Sequence, residues 1–167
     1  MDEGAFAELI ERHDRSFRSL AFRLLADRDR MDDALQDAYV KAFRALPRFR
    51  GGSAPATWLY RIVYNTCLDE LRRGRFRRHV PLDPGRPGGD ADPADTVAGR
   101  AGLAAALGGL PPDQRAAVLL VDAEGFDYRE AAEVLGVEIG TLASRLSRAR
   151  AALRRALSPI EEGAENG

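Results

Sequence analysis

The chain has 167 residues, 45% hydrophobic and 31% charged, a balance that marks a water-soluble globular protein with room for one ordinary domain or two small helical ones. Its apolar stretches fall far short of the ~20 residues needed to cross a membrane, and Met1-Asp2-Glu3-Gly4 lacks the basic start and apolar core of a secretory leader. The single cysteine, Cys67, excludes an internal disulfide and fits a reducing cytoplasm. A net charge of −1 argues against a uniformly basic nucleic-acid binder, but the charge is segregated. Nine arginines face only Asp69 and Glu70 between Arg44 and Arg78, and five arginines with no acid lie between Thr141 and Ser158. Acids gather in Met1–Asp37, around Asp83–Asp95 and in Glu161–Glu165, so two basic surfaces are expected on an acidic background.

Helical periodicity dominates from the start. Phe6, Leu9, Ile10, Phe17, Leu20, Phe22, Leu24 and Leu25 recur at three- and four-residue spacing and predict a helix over roughly Asp2–Leu25. A second helix is predicted from about Arg30 to Leu46. Its apolar stripe comprises Met31, Ala34, Leu35, Ala38, Tyr39, Ala42, Phe43 and Leu46, and Pro47 ends it. After the Gly51-Gly52-Ser53 loop, Ser53 is the expected N-cap and Pro55 sits in the first turn of a third helix, which carries Trp58, Leu59, Ile62, Val63, Leu68 and Leu71 and stops before Gly74. From His79 to Asp95, prolines, glycines and aspartates read as an acidic, extended linker. An Ala/Leu helix follows from Thr96, then a Pro111-Pro112 break and helices over Asp113–Asp122, Tyr128–Leu135 and Ile139–Leu157. The fold class is therefore all-α, in two small helical domains. The expected division is residues 1–78, a linker over 79–95, residues 96–160 and an acidic tail over 161–167.

Tyr128–Arg150 carries the strongest local signal. Ala132 supplies the small side chain that two crossing helices need, and Gly136 suits a turn residue at positive φ. Leu135, Val137 and Leu142 are spaced to fill the core between the helices. The second helix then exposes Thr141, Ser144, Arg145 and Arg148. This is the pattern of a helix-turn-helix whose second helix enters the major groove, where arginine contacts phosphates or guanine edges. An ordinary helical hairpin with a basic face is the plainer reading.

Leu110–Leu157 resembles region 4 of the extracytoplasmic-function (ECF, group 4) sigma factors of the sigma-70 family: Leu110-Pro111-Pro112, Glu124-Gly125 and Gly140-Thr141-Leu142-Ala143-Ser144-Arg145 stand as in that family. The resemblance implies −35 promoter recognition on duplex DNA and a seat on the β flap of RNA polymerase. Ala143 departs from the lysine often found there.

In the first domain, the polar edge Asp33, Gln36, Asp37 and Lys41 reads from residue types alone as a solvated helix face. It resembles sigma region 2.2, which implies that Asp33, Gln36 and Asp37 bind the clamp helices of the β′ subunit of core RNA polymerase. Arg48–Arg78 mixes aromatics with arginines, the combination that stacks on unpaired bases and holds their backbone. Core packing is the competing reading for Trp58, and Tyr64 is open between the two. Phe-Arg-Gly, Thr-Trp-Leu and the Arg-Ile…Asn series resemble regions 2.3 and 2.4, which implies contacts with the single-stranded −10 element from Phe49, Arg50, Trp58, Tyr60, Arg61, Tyr64, Asn65, Arg72 and Arg73. Pro55 and Ala56 depart from the family pattern.

An enzyme is disfavoured. His13 and His79 lack metal-ligand spacing, neither glycine pair has the surroundings or lysine of a phosphate loop, and Asp32, Asp33 and Asp37 fit a solvated helix edge better than a cation site. No metal, cofactor, membrane insertion or bond-making by this chain is expected. The rival reading is a stand-alone helix-turn-helix repressor or activator, which has no need of a melting surface; a polymerase-binding decoy is a third. The sigma reading implies core RNA polymerase, promoter DNA and an anti-sigma factor as partners, in the cytoplasm.

Overall fold

The structure, a computed structural model, describes the backbone of residues 1–77 and 97–158 and the side chains of residues 1–74 and 99–158. The expected 79–95 linker, His79 and the 161–167 tail lie outside the described residues. The described residues hold seven α-helices and no strand: α1 (Glu3–Leu25), α2 (Arg28–Ala45), α3 (Pro55–Arg77), α4 (Val97–Gly108), α5 (Pro112–Val118), α6 (Tyr128–Leu135) and α7 (Ile139–Leu157). Short helices can hold shape only by burying an apolar face, and these do so in two groups. α1, α2 and α3 pack on one another, and α4–α7 pack around α7.

Caps define the first group. The Asp2 carboxylate accepts from Ala5 N–H at 2.7 Å and starts α1; the Asp27 carboxylate accepts from Arg30 N–H at 3.0 Å and starts α2 two residues ahead of the expected Arg30. Phe17, Leu20, Leu24, Leu35, Ala38, Leu59 and Val63 fill the centre. Two expectations fail in α3. Ser53 is not its N-cap: the helix begins at Pro55, and it is the Ala54 carbonyl that accepts the first helical bond, from Trp58 N–H at 3.0 Å. Nor does Gly74 end it. There Arg30 donates to the Glu70 carbonyl at 2.8 Å and to its carboxylate at 3.2 Å, and a Cβ at Gly74 would lie 2.3 Å from the Arg30 guanidinium. Gly74 is a close-approach residue, and α3 runs on to Arg77.

In the second group, the expected single helix over Asp113–Asp122 is α5 followed by a wide turn, in which Glu124 N–H reaches back five residues to the Leu119 carbonyl at 2.9 Å. Gly125 at φ +76 then redirects the chain. Asp127 and Glu130 close a reciprocal capping box at the start of α6. Gly136 at φ +68 ends α6 in a Schellman motif, with Gly136 N–H bonded to the Glu133 carbonyl at 3.2 Å and Val137 N–H to the Ala132 carbonyl at 3.0 Å. Buried Ala132, Leu135 and Leu142 sit at the α6–α7 crossing as the spacing predicts, joined by Leu146 and Ala149.

The two groups touch. α3 lies against α6, and α1 against α4 and α5, so the buried core is continuous across them.

Candidate nucleic-acid and docking surfaces

α2 presents a coherent outer edge. Asp33 and Gln36 are exposed, while Asp37 is half-buried and paired with Lys41 at 3.1 Å and with Arg73 at 3.8 Å. Phe43, expected in the core stripe, instead faces outward at 48% exposure with its ring 6.1 Å from Phe6, and Val40 is 42% exposed. Residues 33, 36, 37, 40 and 43 share one helical face, so the acidic edge continues into exposed apolar surface. Apolar side chains exposed beside charges suit a protein-contact surface. Sequence reasoning missed Val40 and Phe43 because a Phe at stripe spacing is normally read as core.

The candidate single-strand surface is split. Phe49 and Trp58 are half-buried and pack against each other with ring centroids 4.8 Å apart, flanking a loop in which Arg50 is exposed and Gly51 takes φ +75. On α3, Arg61, Asn65, Arg72 and Arg73 are exposed, with Arg72 3.4 Å from Asp69. Tyr60 and Tyr64 are buried, at 2% and 3% exposure. Tyr60 stacks edge-on against Phe17 at 4.6 Å and Phe126 at 4.8 Å, and its hydroxyl lies 3.5 Å from the Glu124 carboxylate. Burial, with Glu124 adding to it, pushes the Tyr60 phenol up to about 12, and burial raises that of Tyr64. Neither ring can stack on a base in this arrangement.

On α7, Thr141, Ser144 and Arg148 are exposed on the side opposite the Leu142–Leu146–Ala149 core stripe. Arg145 is half-buried, 3.3 Å from Asp113, and its charge works against the burial that raises the Tyr64 phenol. Ala143 is half-buried. Arg150, one turn further on, is engaged elsewhere. It forks onto Asp122 at 2.7 and 3.0 Å, which pulls the Asp122 carboxyl below its usual range and ties α7 to the wide turn after α5. Among the described residues, no group of three or more His, Cys, Asp or Glu is arranged to hold a metal ion, and no helix is long and apolar enough to cross a membrane.

The fold and these surfaces define a helix-turn-helix DNA-binding protein that carries a second helical bundle with an exposed acidic and apolar edge. Residues 9–77 match the family Sigma-70 region 2, and residues 100–153 match Sigma-70, region 4. The chain is 41% identical over 162 residues to the ECF RNA polymerase sigma factor SigM of Mycobacterium tuberculosis, covering 97% of this chain and 82% of that one. It is 33% identical over 172 residues to the ECF RNA polymerase sigma-E factor of Escherichia coli K12, covering 95% and 90%. Among solved structures it is similar to the sigma factor RpoE of Bartonella quintana in complex with the anti-sigma factor NepR, with a TM-score of 0.71, 32% identity and coverage of 92% and 96%. It is also similar to CnrH in complex with the cytosolic domain of CnrY, with a TM-score of 0.69, 28% identity and coverage of 93% and 89%. The chain belongs to the ECF sigma factors of the sigma-70 family.

Proposed function

We propose that this chain binds core RNA polymerase through α2 and directs it to promoters by reading two DNA elements, with no bond made or broken by its own residues. The observation that carries the reading is the presence, in one chain, of both family regions. Asp33, Gln36 and Asp37 make the polymerase contact, on the clamp helices of β′, and Val40 and Phe43 extend it. The loop from Phe49 and the face of α3 bearing Trp58, Arg61, Asn65, Arg72 and Arg73 take the opened −10 strand, while Tyr60 and Tyr64 stay buried in the core. Thr141, Ser144, Arg145 and Arg148 read the −35 duplex while the second unit rests on the β flap. The working division is 1–78 for docking and melting, 79–95 as linker and 96–160 for −35 recognition. The similar structures in which a sigma factor is held by an anti-sigma factor support such a partner here, and a cytoplasmic site of action follows from the polymerase.

The test is transcription by bacterial core polymerase on fragments of the source genome, with and without this protein. New, discrete start sites that require it are expected, and their alignment yields both promoter elements. Binding to duplex DNA alone, with no core binding and no new starts, would instead establish a stand-alone repressor or activator.

A further inference from the structure

The arginines of α7 are not equivalent, and what already engages their charge sorts them. Arg150 forks onto Asp122, and Arg145 lies 3.3 Å from Asp113. Arg148, Arg154 and Arg155 are exposed and, among the described residues, make no ion pair. The unengaged charge of the helix therefore gathers toward its C-terminal end.

That end also runs on past the core. Leu142, Leu146 and Ala149 are buried and Leu153 is half-buried, but from Arg154 to Ser158 every side chain is exposed. The helix keeps its form there, with Ser158 N–H donating to the Arg154 carbonyl at 2.8 Å. The helical repeat therefore fixes where each overhanging side chain starts. Thr141, Arg148 and Arg155 follow one another at intervals of seven residues, which is two turns to within about 20°. They form one line on the exposed side, with steps of about 10 Å along the axis. Arg154 is turned away from that line by about 100°.

Thr141 and Arg148 are assigned to the −35 duplex, so Arg155 faces the same DNA, but at a different depth. A recognition helix meets base edges with its N-terminal residues, and the major groove is about 12 Å wide. Arg155 lies about 21 Å along the axis from Thr141. Over that length a straight helix leaves the floor of a curving groove, and its side chains meet the sugar-phosphate wall. A guanidinium that no acid has taken suits a phosphate there, on which it makes a charge-assisted fork. We propose that Arg155 is a further DNA contact, a phosphate clamp at the edge of the −35 element that adds affinity without reading sequence. This rests on the function proposed above and divides α7 by role: its first turns read bases and its last turn grips the backbone. Arg154, off the line, is a solvated charge that complements the negative end of the helix dipole.

The test is a salt titration of duplex binding, by holoenzyme on a promoter fragment and in parallel by the full chain alone on mixed-sequence duplex. Arg155→Gln should weaken holoenzyme binding about fivefold near 0.15 M salt, equally for matched and mismatched −35 sequences. The slope of log affinity against log salt should become shallower by about one in both titrations. Arg155→Lys should keep most of the slope, and Arg154→Gln should leave it unchanged. Replacing phosphates around the −35 element one at a time by neutral methylphosphonates locates the contact. One replacement should weaken the wild type and leave Arg155→Gln indifferent. A wild-type slope in Arg155→Gln overturns the proposal and leaves Arg155 as a partner of the helix dipole. An equal loss in Arg154→Gln overturns it in favour of net charge, and a relaxed preference at one base position overturns it in favour of base reading. Absence of start sites with the wild type would overturn the sigma reading, while the titration of the chain alone would still decide the role of Arg155.

Discussion

α3 and α7 invite comparison. Both are long, arginine-rich helices assigned to DNA, yet they divide their residues differently. On α7 the labour is separated: Leu142, Leu146 and Ala149 are wholly buried, Thr141, Ser144 and Arg148 are exposed, and few side chains could serve either role. On α3 the same aromatic side chains suit both a core and a base-stacking surface, and the structure commits Tyr60 and Tyr64 to the interior. Aliphatic and charged residues announce their environment, whereas tyrosine, apolar with a polar tip, does not.

Substitutions test this contrast in order of expected size. Tyr60→Ala should lower unfolding stability by about 3–5 kcal/mol, the range for emptying a buried aromatic site. Asn65→Ala, exposed one turn away, should stay within about 0.5 kcal/mol of wild type in the same denaturant titration while still reducing promoter-dependent transcription. Equal stability for the two variants would mean Tyr60 is not buried in solution. Arg145→Ala should cut transcription from matched promoters by an amount corresponding to about 1–3 kcal/mol, with little change in melting temperature, and should relax preference at one −35 position.

Gly74→Ala sets helix propensity against packing. Alanine gains roughly 0.5–1 kcal/mol in a helix interior, but the added Cβ must displace the Arg30 guanidinium from the Glu70 carbonyl and carboxylate, and losing bonds to a part-buried charge costs about 1.5–3 kcal/mol. A net loss of about 1 kcal/mol is expected by thermal unfolding, and a gain would show that Arg30 relocates freely. Asp127→Ala should cost about 1 kcal/mol through the capping box and weaken −35 binding more than −10 binding. The smallest effect concerns Cys67. It is wholly buried, and burial pushes its thiol up to about 12, so a thiol reagent at pH 8 should label the native protein only as fast as the first unit opens. Rapid labelling would show that this bundle breathes more than its packing implies.

Much of this molecule could be read from its residues because its helices obey local rules. The 3.6-residue stripes placed α1, α2, α6 and α7 within a few residues of their observed bounds, and Gly136 marked its turn because only a residue without a Cβ takes φ +68 without strain. The misses come from contacts distant in sequence. Gly74 looks like a helix stop until Arg30 is seen against it, Phe43 looks like core until α2 is placed on its neighbours, and Ser53 looks like a cap although the helix starts past it. Arg115 is the clearest case. Nothing in Pro111-Pro112-Asp113-Gln114-Arg115 says that the guanidinium will be buried, because its partners are backbone carbonyls, which every residue has, on helices brought near only by the fold. Spacing and side-chain type alone specify most of the helices and the family, but not the caps. Which arginines and tyrosines remain available to DNA depends instead on the packing of distant helices, since availability is set by what each side chain lies against.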